Sequence, residues 1–559
     1  DATVGFSMKS FEAKISKALK PSNNVETEKV KRKTVKDASG SCGNGVTYTF
    51  EAASGTLKIS GNGAITSYPW RGSSYQNDIT TATLENGVTS ICTGAFMQCK
   101  NLNSVTMPDT LTSIGEAVFA ECPSLTAITI PSSVTSIGAN TFNDCSGLKS
   151  VAFGSNNAVT GFTGVFPNGL KANIKSITLG EDVNADALVE AGSVFSDYTG
   201  LKSVELHSDS AVARFKTIFS SSLNSINSVT IGDGVETIGN AAFFQCRNLN
   251  SVTISDSVKF IEDGAFKECH GLISISIPDS VTQIGVGAFY DCQNLESVTL
   301  GSGVNTIGTN AFNNCPQLTT VELNSNGAVE GFKNGYFFNS VKNITLGDSV
   351  NSTITDNTFQ RCTSLNSVTI GNGVTSIGNS AFRDRTSLTS VTIGNGVTSI
   401  GNDAFYGCTG LTSLSIPGSV ESIGTSAFRD CNGLTSVTIG TGVTSIGGDA
   451  FQGCTELTFI TIPDSVESIG NAAFYGCSNL QSVIIGSGVT SANSAFRDCN
   501  NLTSVELRSN EAVSGFKTIF PTYEKINSVT IGEGVTEIGN QAFQSCSGLT
   551  SINISDTVR

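Results

Sequence analysis

The residues in this 559-residue chain that could do chemistry are its sixteen cysteines and two histidines. Cysteine can form disulfides, bind metals or act as a nucleophile. Fourteen of the cysteines occupy one slot, directly before x-x-Leu, and they recur every 23 residues over long stretches, as in Cys408, Cys431, Cys454 and Cys477. Each therefore stands alone in its repeat, so the spacing predicts neither a metal site nor a nucleophile with its base.

The two histidines complete the inventory of titratable groups near neutral pH. His270 follows Cys269, in a position that other repeats fill with Thr, Ser, Arg or Asn, so we expect a solvated turn residue. His207 follows a strand of an unusual repeat. Catalysis requires convergent acids, bases or nucleophiles. The sequence therefore predicts a protein that is not an enzyme, with no catalytic residues, no metal and no cofactor.

The redox state of the cysteines allows two interpretations. Stacked repeats would place successive cysteines about 5 Å apart, which is inside the Cα window of a disulfide, but their side chains would point in parallel. The pattern therefore favours buried free thiols that act as small hydrophobic residues. Arg385 occupies the same slot and shows that one cysteine can be lost. Cys42 and Cys92 lie outside the series, and a disulfide between them is the bridge we would expect if there is one.

The element that positions these residues is a tandem repeat. One copy, residues 388–411, reads LTSVTIGNGVTSIGNDAFYGCTGL. The S-V-T-I stretch alternates with period two, which predicts a short strand with Val and Ile inward and Ser and Thr outward. Val397 and Ile400 form a second apolar pair, and Ala404-Phe405 predicts a helical or 3₁₀ turn. We expect Gly401 to supply a backbone conformation that a side chain would hinder.

A fixed period of this length predicts a solenoid, because no single repeat carries enough apolar surface to fold alone. Twenty strands of the S-V-T-I type can be counted from Ser104 to Ile554, and Thr81-Ala82-Thr83-Leu84 is an earlier one. The predicted fold is a β-rich solenoid of about 20–21 coils of about 23 residues, with short strands and an N-terminal β-hairpin cap.

These repeats resemble the BspA-like class of leucine-rich repeats. Residues 411–431, LTSLSIPGSVESIGTSAFRDC, match its unit nearly letter for letter, and the resemblance covers roughly residues 79–559. It implies a curved or twisted leucine-rich repeat solenoid on a secreted or surface protein. It also implies adhesion or binding of host or matrix proteins, without indicating which ligand.

The N-terminal region divides into two predicted segments. Residues 1–40 hold nine Lys/Arg against five Asp/Glu, and Phe11, Ile15 and Leu19 predict a short amphipathic helix over residues 11–20. This segment could cover the open end of the solenoid, or act as a pro-segment or partner-binding arm cleaved near Lys31-Arg32-Lys33. Residues 41–78 predict a cap in which two strands flank a Ser54-Gly55 turn.

A variant repeat recurs four times within the predicted solenoid, which spans residues 79–559. Its core text is V-E-L-x-S-x-x-A-V-x-x-F-K, and it replaces the A-F-x-x-C turn with an aromatic-rich stretch. We expect these Phe side chains to fill a wider turn of their own coil. The variant coils lie near residues 151–179, 204–231, 321–346 and 505–531.

The outward Ser and Thr of the strands predict a flat, weakly charged hydroxyl face. Such a face could bind protein or glycan, although exposed strand positions also favour Thr for its propensity alone. Glu205, Glu322 and Glu506 interrupt it in the variant coils. The residues proposed for the binding face are Ser228, Thr230, Ser251, Thr253, Ser367, Thr369, Ser390, Thr392, Ser436 and Thr438.

The charge and composition of the chain limit the kinds of partner and environment that we expect. The net charge is −15, which argues against nucleic acid, since phosphate backbones require a basic stripe. No run of 18 apolar residues exists, so no transmembrane segment is predicted. In a eukaryotic secretory pathway, N-x-S/T matches would make Asn343, Asn351, Asn501 and Asn553 glycosylation acceptors.

Together these patterns predict a non-enzymatic extracellular or cell-surface protein. Its repeat face would mediate adhesion or bind a host or matrix protein or glycan. The alternative is a structural protein that self-associates through the ends of the solenoid into a filament, sheath or extracellular matrix. The near-identical repeats and the stop at Arg559 in mid-repeat motivate that alternative.

Overall fold

The computed structural model describes residues 35–192, 194–333 and 338–559. Its main feature is a series of 21 parallel strands, one per coil, which confirms the predicted repeat solenoid. The predicted helix at residues 11–20 and the basic site Lys31-Arg32-Lys33 lie outside the described residues. The long strands are Thr81–Leu84, Ser104–Thr106, Ala127–Ile130, Ser150–Ser155, Ser176–Asp182, Ser203–Leu206, Ser228–Ile231, Ser251–Ile254, Ser274–Ile277, Ser297–Leu300, Thr320–Leu323, Asn343–Leu346, Ser367–Ile370, Ser390–Ile393, Ser413–Ser415, Ser436–Thr438, Phe459–Ile462, Ser482–Ile485, Ser504–Leu507, Ser528–Ile531 and Ser551–Ile554.

The long strands pair in strict register, each residue with its equivalent one coil away. Ser367 pairs with Ser390 and Val368 with Val391, for example. The period of two therefore places most of the Val and Ile side chains in the interior and most of the Ser and Thr side chains on one outer face. The described ladder divides into five sheets, with breaks after Thr106, Ile254, Ile393 and Thr438.

A second ladder of shorter strands runs along another side of the solenoid. It divides into three sheets of four, four and six strands among the described residues. Helices Asn156–Val165 and Asn326–Lys333 follow where the first two of these sheets end. The short strands are Gly63–Ile65, Val88–Ile91, Ser113–Ile114, Ser136–Ile137, Thr237–Ile238, Phe260–Ile261, Gln283–Ile284, Thr306–Ile307, Ser376–Ile377, Ser399–Ile400, Ser422–Ile423, Ser445–Ile446, Ser468–Ile469 and Ser491–Ala492.

The A-F-x-x-C segment forms consecutive tight turns instead of the helical turn expected there. Left-handed backbone at Asp403 (φ 54°) and Gly407 (φ 70°) interrupts any helix. The N–H of Phe405 instead donates to the carbonyl of Ala427 in the next coil, at 2.7 Å. Gly401 was predicted to supply a special backbone conformation, but the structure gives a different reason for glycine at this position. A Cβ there would lie 2.8 Å from the backbone N of Asn379, so glycine permits the close approach of two coils.

The variant coils carry helices in place of the short strand. A helical coil that the sequence analysis did not single out is also present, with helix Ala185–Glu190. Among the residues that the structure describes, the α-helices are Asn156–Val165, Ala185–Glu190, Asp209–Ala213, Phe215–Ile218, Asn326–Lys333, Asn510–Ser514 and Phe516–Ile519. The 3₁₀ helices are Gln76–Asp78, Asn168–Asn173, Phe338–Ser340 and Tyr523–Lys525.

One aromatic stack runs through the core and crosses the helical coils. In regular coils, successive Phe rings lie about 5 Å apart and nearly parallel, as Phe405 and Phe428 do at 5.2 Å. In the coil of helix Phe516–Ile519, Phe496 stacks on Phe520 at 5.1 Å, and Phe516 contacts Phe543 at 5.0 Å. Two Phe side chains thus bridge the wider coil, and both are buried.

The N-terminal cap is an antiparallel meander that joins the first coil. Strands Ala38–Gly43, Val46–Glu51 and Thr56–Gly61 pair in sequence order, and Thr56–Gly61 then pairs in parallel with Thr81–Leu84. The predicted hairpin is therefore present. The cap contains one strand more than the hairpin, Ala38–Gly43, which begins three residues before the predicted boundary of the cap at residue 41. Trp70 is fully buried beneath the cap, where its Nε1 donates to the carbonyl of Ala95 at 2.6 Å.

Candidate binding face

The predicted hydroxyl residues all lie on the outer face of the long-strand ladder. Register brings Ser228 and Thr230 beside Ser251 and Thr253, and Ser367 and Thr369 beside Ser390 and Thr392. Ser436 and Thr438 lie further along, beside Ser413 and Ser415. The predicted residues therefore form three groups on one face, at residues 228–253, 367–392 and 436–438. The groups are separate along the solenoid, so a compact ligand would contact only one group.

The glutamates that interrupt the face are held by neighbours in the structure. Glu205 accepts from Thr178 Oγ1 at 3.4 Å and pairs with the Nε2 of His207 at 3.1 Å. Glu506 pairs with Arg508 at 2.7 Å. Because these carboxylates are partly buried and have partners, they order the surface of the variant coils.

An apolar patch that was not predicted from the sequence lies on the same face. Phe459 occupies the first Ser position of its strand and has 45% of its surface exposed. Ile484 occupies the Thr position of the next strand and is half-buried. The sequence did contain a signal for this patch. Most strands have Ser where this one has Phe459, and a solvent-facing strand position rarely requires a large aromatic side chain.

Two grooves of the face flank three neighbouring strands, Ser251–Ile254, Ser274–Ile277 and Ser297–Leu300. We call these strands and their two grooves the two-groove segment. The first groove, of about 540 Å³, lies where the strands begin, and the second, of about 460 Å³, lies where they end. Ile273, 48% exposed, lines the first groove. Thr253, Ser276 and Thr299 line the second groove.

The two grooves differ in charge. Arg247, His270 and Glu296 line the first groove together with several amide side chains. The second groove carries Asp256 and Asp279. The N–H of Ser302 donates to Asp279 at 2.6 Å, and hydrogen bonds from Ser302 lower the pKa of this carboxyl. The second groove is therefore negatively charged at neutral pH, and it favours a partner with a basic group.

The cysteine ladder lies away from this face, in the core. All sixteen cysteines are free thiols. Where the preceding coil is also regular, the thiol donates to the carbonyl of the Phe one coil earlier, as Cys431 Sγ does to Phe405 O at 3.2 Å. Burial raises the pKa of Cys99 and Cys145 from 9.0 to about 12, so both stay protonated at neutral pH. Such thiols are poor nucleophiles and poor metal ligands.

Cys42 and Cys92 lie close enough to influence each other. Burial and then the neighbouring Cys92 raise the pKa of the Cys42 thiol to about 11. Both are free thiols in the structure, and the disulfide between them stays a prediction. The four glycosylation acceptors also stay predictions. Asn351, Asn501 and Asn553 are exposed, whereas Asn343 is partly buried and accepts from Ser367 Oγ at 2.7 Å.

The repeat geometry defines the class of this protein as a leucine-rich repeat solenoid. Within the described part of the chain, no helix is both long and apolar enough to cross a membrane. The model of the BspA type leucine rich repeat region matches residues 72–187, 215–345, 330–458 and 444–559, which together cover most of the chain. The chain belongs to this family.

Solved structures of proteins from several bacteria are similar to this chain. A leucine-rich repeat protein from Bacteroides ovatus is 23% identical over 92% of this chain and 99% of its own, with a TM-score of 0.30. A leucine rich cell surface protein from Faecalibacterium prausnitzii is 22% identical over 87% and 98%, with a TM-score of 0.24. The pneumococcal vaccine antigen PcpA is 22% identical over 59% and 80%, with a TM-score of 0.30. No curated protein matches the chain.

Proposed function

We propose that this chain is a non-enzymatic, extracellular or cell-surface protein that binds a protein partner through the two-groove segment and thereby mediates adhesion. Membership of the BspA type family supports protein binding in general. The observation that favours this segment is that two grooves, of about 540 and 460 Å³, flank the same three strands of the outer face. A ridge with concave edges offers far more contact than a flat hydroxyl ladder does.

The chemistry of the segment indicates the kind of partner. The hydroxyls of Thr253 and Ser276 can donate and accept hydrogen bonds, and Ile273 supplies an exposed apolar contact. Asp256 and Asp279 favour a Lys or Arg of the partner at the second groove. A mixed surface of this kind suits a folded protein with a basic edge.

The test is binding of the purified chain to extracellular-matrix preparations and to intact cells at physiological salt. Surface plasmon resonance on immobilised matrix is expected to show saturable binding, weakened by added salt because of the acidic groove. Enzymatic deglycosylation of the preparations is expected to leave the signal intact. Loss of the signal after deglycosylation would indicate a glycan ligand instead, and no binding to any preparation would contradict the proposal.

A further inference from the structure

The sequence predicts a solvated turn residue at His270, but the structure places this side chain near two carboxylates, Glu268 and Asp291. Its Nε2 lies 3.3 Å from Asp291 Oδ2 in the next coil. One ligand atom from each of Glu268, His270 and Asp291 can be chosen so that all three lie within 4.8 Å of one another. The three side chains are 20 to 31% exposed, so they are partly desolvated and still accessible to an ion.

We propose that Glu268, His270 and Asp291 form a binding site for a divalent transition-metal ion of the Zn²⁺ type that links two neighbouring coils. Imidazole nitrogen and carboxylate oxygen are both zinc ligand atoms, and three protein ligands leave the fourth tetrahedral position for a water. Bonds of about 2.0–2.1 Å in a tetrahedral arrangement separate the ligand atoms by about 3.4 Å. The observed distance from His270 to Asp291 matches that separation.

Amide side chains hold both carboxylates in position. Gln245 Nε2 donates to Glu268 Oε2 at 3.0 Å, and Arg247 Nη2 lies 3.5 Å from the same oxygen, so in the proposed site Oε1 would be the ligand atom. Gln293 and Asn314 donate to Asp291 Oδ1, which leaves Oδ2 beside the imidazole. Outer hydrogen bonds of this kind fix ligand orientation and raise metal affinity.

The chain contains a natural comparison for this site. Glu121 and Asp144 stack in the same slots as Glu268 and Asp291, and Gln98 donates to Glu121 at 3.1 Å, as Gln245 does to Glu268. Pro123 stands where His270 would be. The carboxylates are therefore repeated and the nitrogen ligand is not, so the account predicts one ion per chain rather than two.

The experiment is titration of the full chain with ZnCl₂ by isothermal calorimetry, with a phosphine reductant to keep the thiols reduced. The expected result is one ion per chain, not displaced by excess Ca²⁺, because imidazole favours borderline metals. His270→Asn, which introduces the residue found at this slot in Asn432, is expected to weaken binding at least about tenfold. Asp291→Asn is expected to do the same, whereas His207→Asn is the matched control and keeps full affinity.

The thiols require a separate control, because cysteine also binds zinc. Co²⁺ bound to nitrogen and oxygen has no intense sulfur-to-cobalt charge-transfer band, so the wild-type complex is expected to lack one. Circular dichroism confirms that each variant is folded. A charge-transfer band, a stoichiometry of two, or affinity unchanged in both His270→Asn and Asp291→Asn would overturn the proposal, as would the absence of zinc binding to the wild type.

Discussion

At the scale of single residues, the cysteine slot explains most of the interior chemistry. The slot is buried and faces a Phe carbonyl of the previous coil, so it suits a small apolar side chain with a weak donor. Arg385 fits it poorly. The residue is only 6% exposed, its Nε donates to the carbonyl of Arg383 at 3.0 Å, and its Nη1 has no hydrogen-bond partner in the described part of the chain.

Replacing this arginine is expected to stabilise the protein. Arg385→Cys restores the ladder between Cys362 and Cys408 and removes a buried polar atom without a partner, a change of about 1–3 kcal/mol. The measurement is the opening free energy of the adjacent strand amides by native-state hydrogen exchange. The reverse change, Cys431→Arg, serves as the matched control and is expected to destabilise by about 3–5 kcal/mol. Equal stability of both variants and the wild type would contradict this account of the slot.

The thiols also predict how stability depends on pH. Burial raises the pKa of Cys362 and Cys408 from 9.0 in the unfolded chain to about 12 in the folded one. The folded chain therefore binds more protons than the unfolded chain between pH 9 and 12, and stability present below pH 9 is lost as the pH rises through this window.

This loss is checked by urea denaturation at pH 8, 9 and 10 under reducing conditions. The matched variant replaces Cys408, Cys431 and Cys454 by alanine, and its stability is expected to fall less between pH 8 and 10 than that of the wild type. The comparison cancels the contribution of Lys and Tyr, which titrate in both proteins. An identical pH dependence in the two proteins would show that the ladder does not account for the effect.

At the scale of elements, the strands and the Phe and Cys ladders could be predicted because each depends only on the 23-residue period. The helices were missed, although Ser155, Ser208, Ser325 and Ser509 each cap one by accepting from the N–H three residues on. The S-x-x-A motif of these coils is a helix N-cap signal that could have predicted them. The grooves could not be predicted, because they depend on side chains of several coils whose relative position only the structure provides.

The aromatic stack predicts a sharp difference between two Phe residues. Phe428 is fully buried between Phe405 and Phe451, with ring centroids 5.2 Å from each. Phe428→Ala is expected to cost about 3–5 kcal/mol in the opening free energy of its coil. Phe459→Ala, on the exposed face, is expected to change it by less than about 0.5 kcal/mol. Hydrogen exchange of the neighbouring strands measures both, and a similar cost for the two variants would refute a stacked core.

At the scale of the whole molecule, the solenoid offers one long face on which binding can be local. The predicted hydroxyl residues extend from Ser228 to Thr438, whereas the two grooves described above flank only strands Ser251–Ile254, Ser274–Ile277 and Ser297–Leu300. End-to-end assembly into filaments stays a prediction. Electron microscopy over a range of concentrations would reveal it as filaments with a regular axial repeat.

The central claim is that the two-groove segment is where a partner binds. Thr253→Arg with Ser276→Arg places two bulky cations on exposed positions beside the acidic groove. Thr392→Arg makes the same change in the same slot of a distant strand. The measurement is the affinity of each variant for the matrix or cell preparation that retains the wild type. We expect at least about a tenfold loss for the double variant, a cost of about 1.4 kcal/mol, and no loss for the control. Equal retention of all three proteins, or a loss confined to Thr392→Arg, would contradict the account.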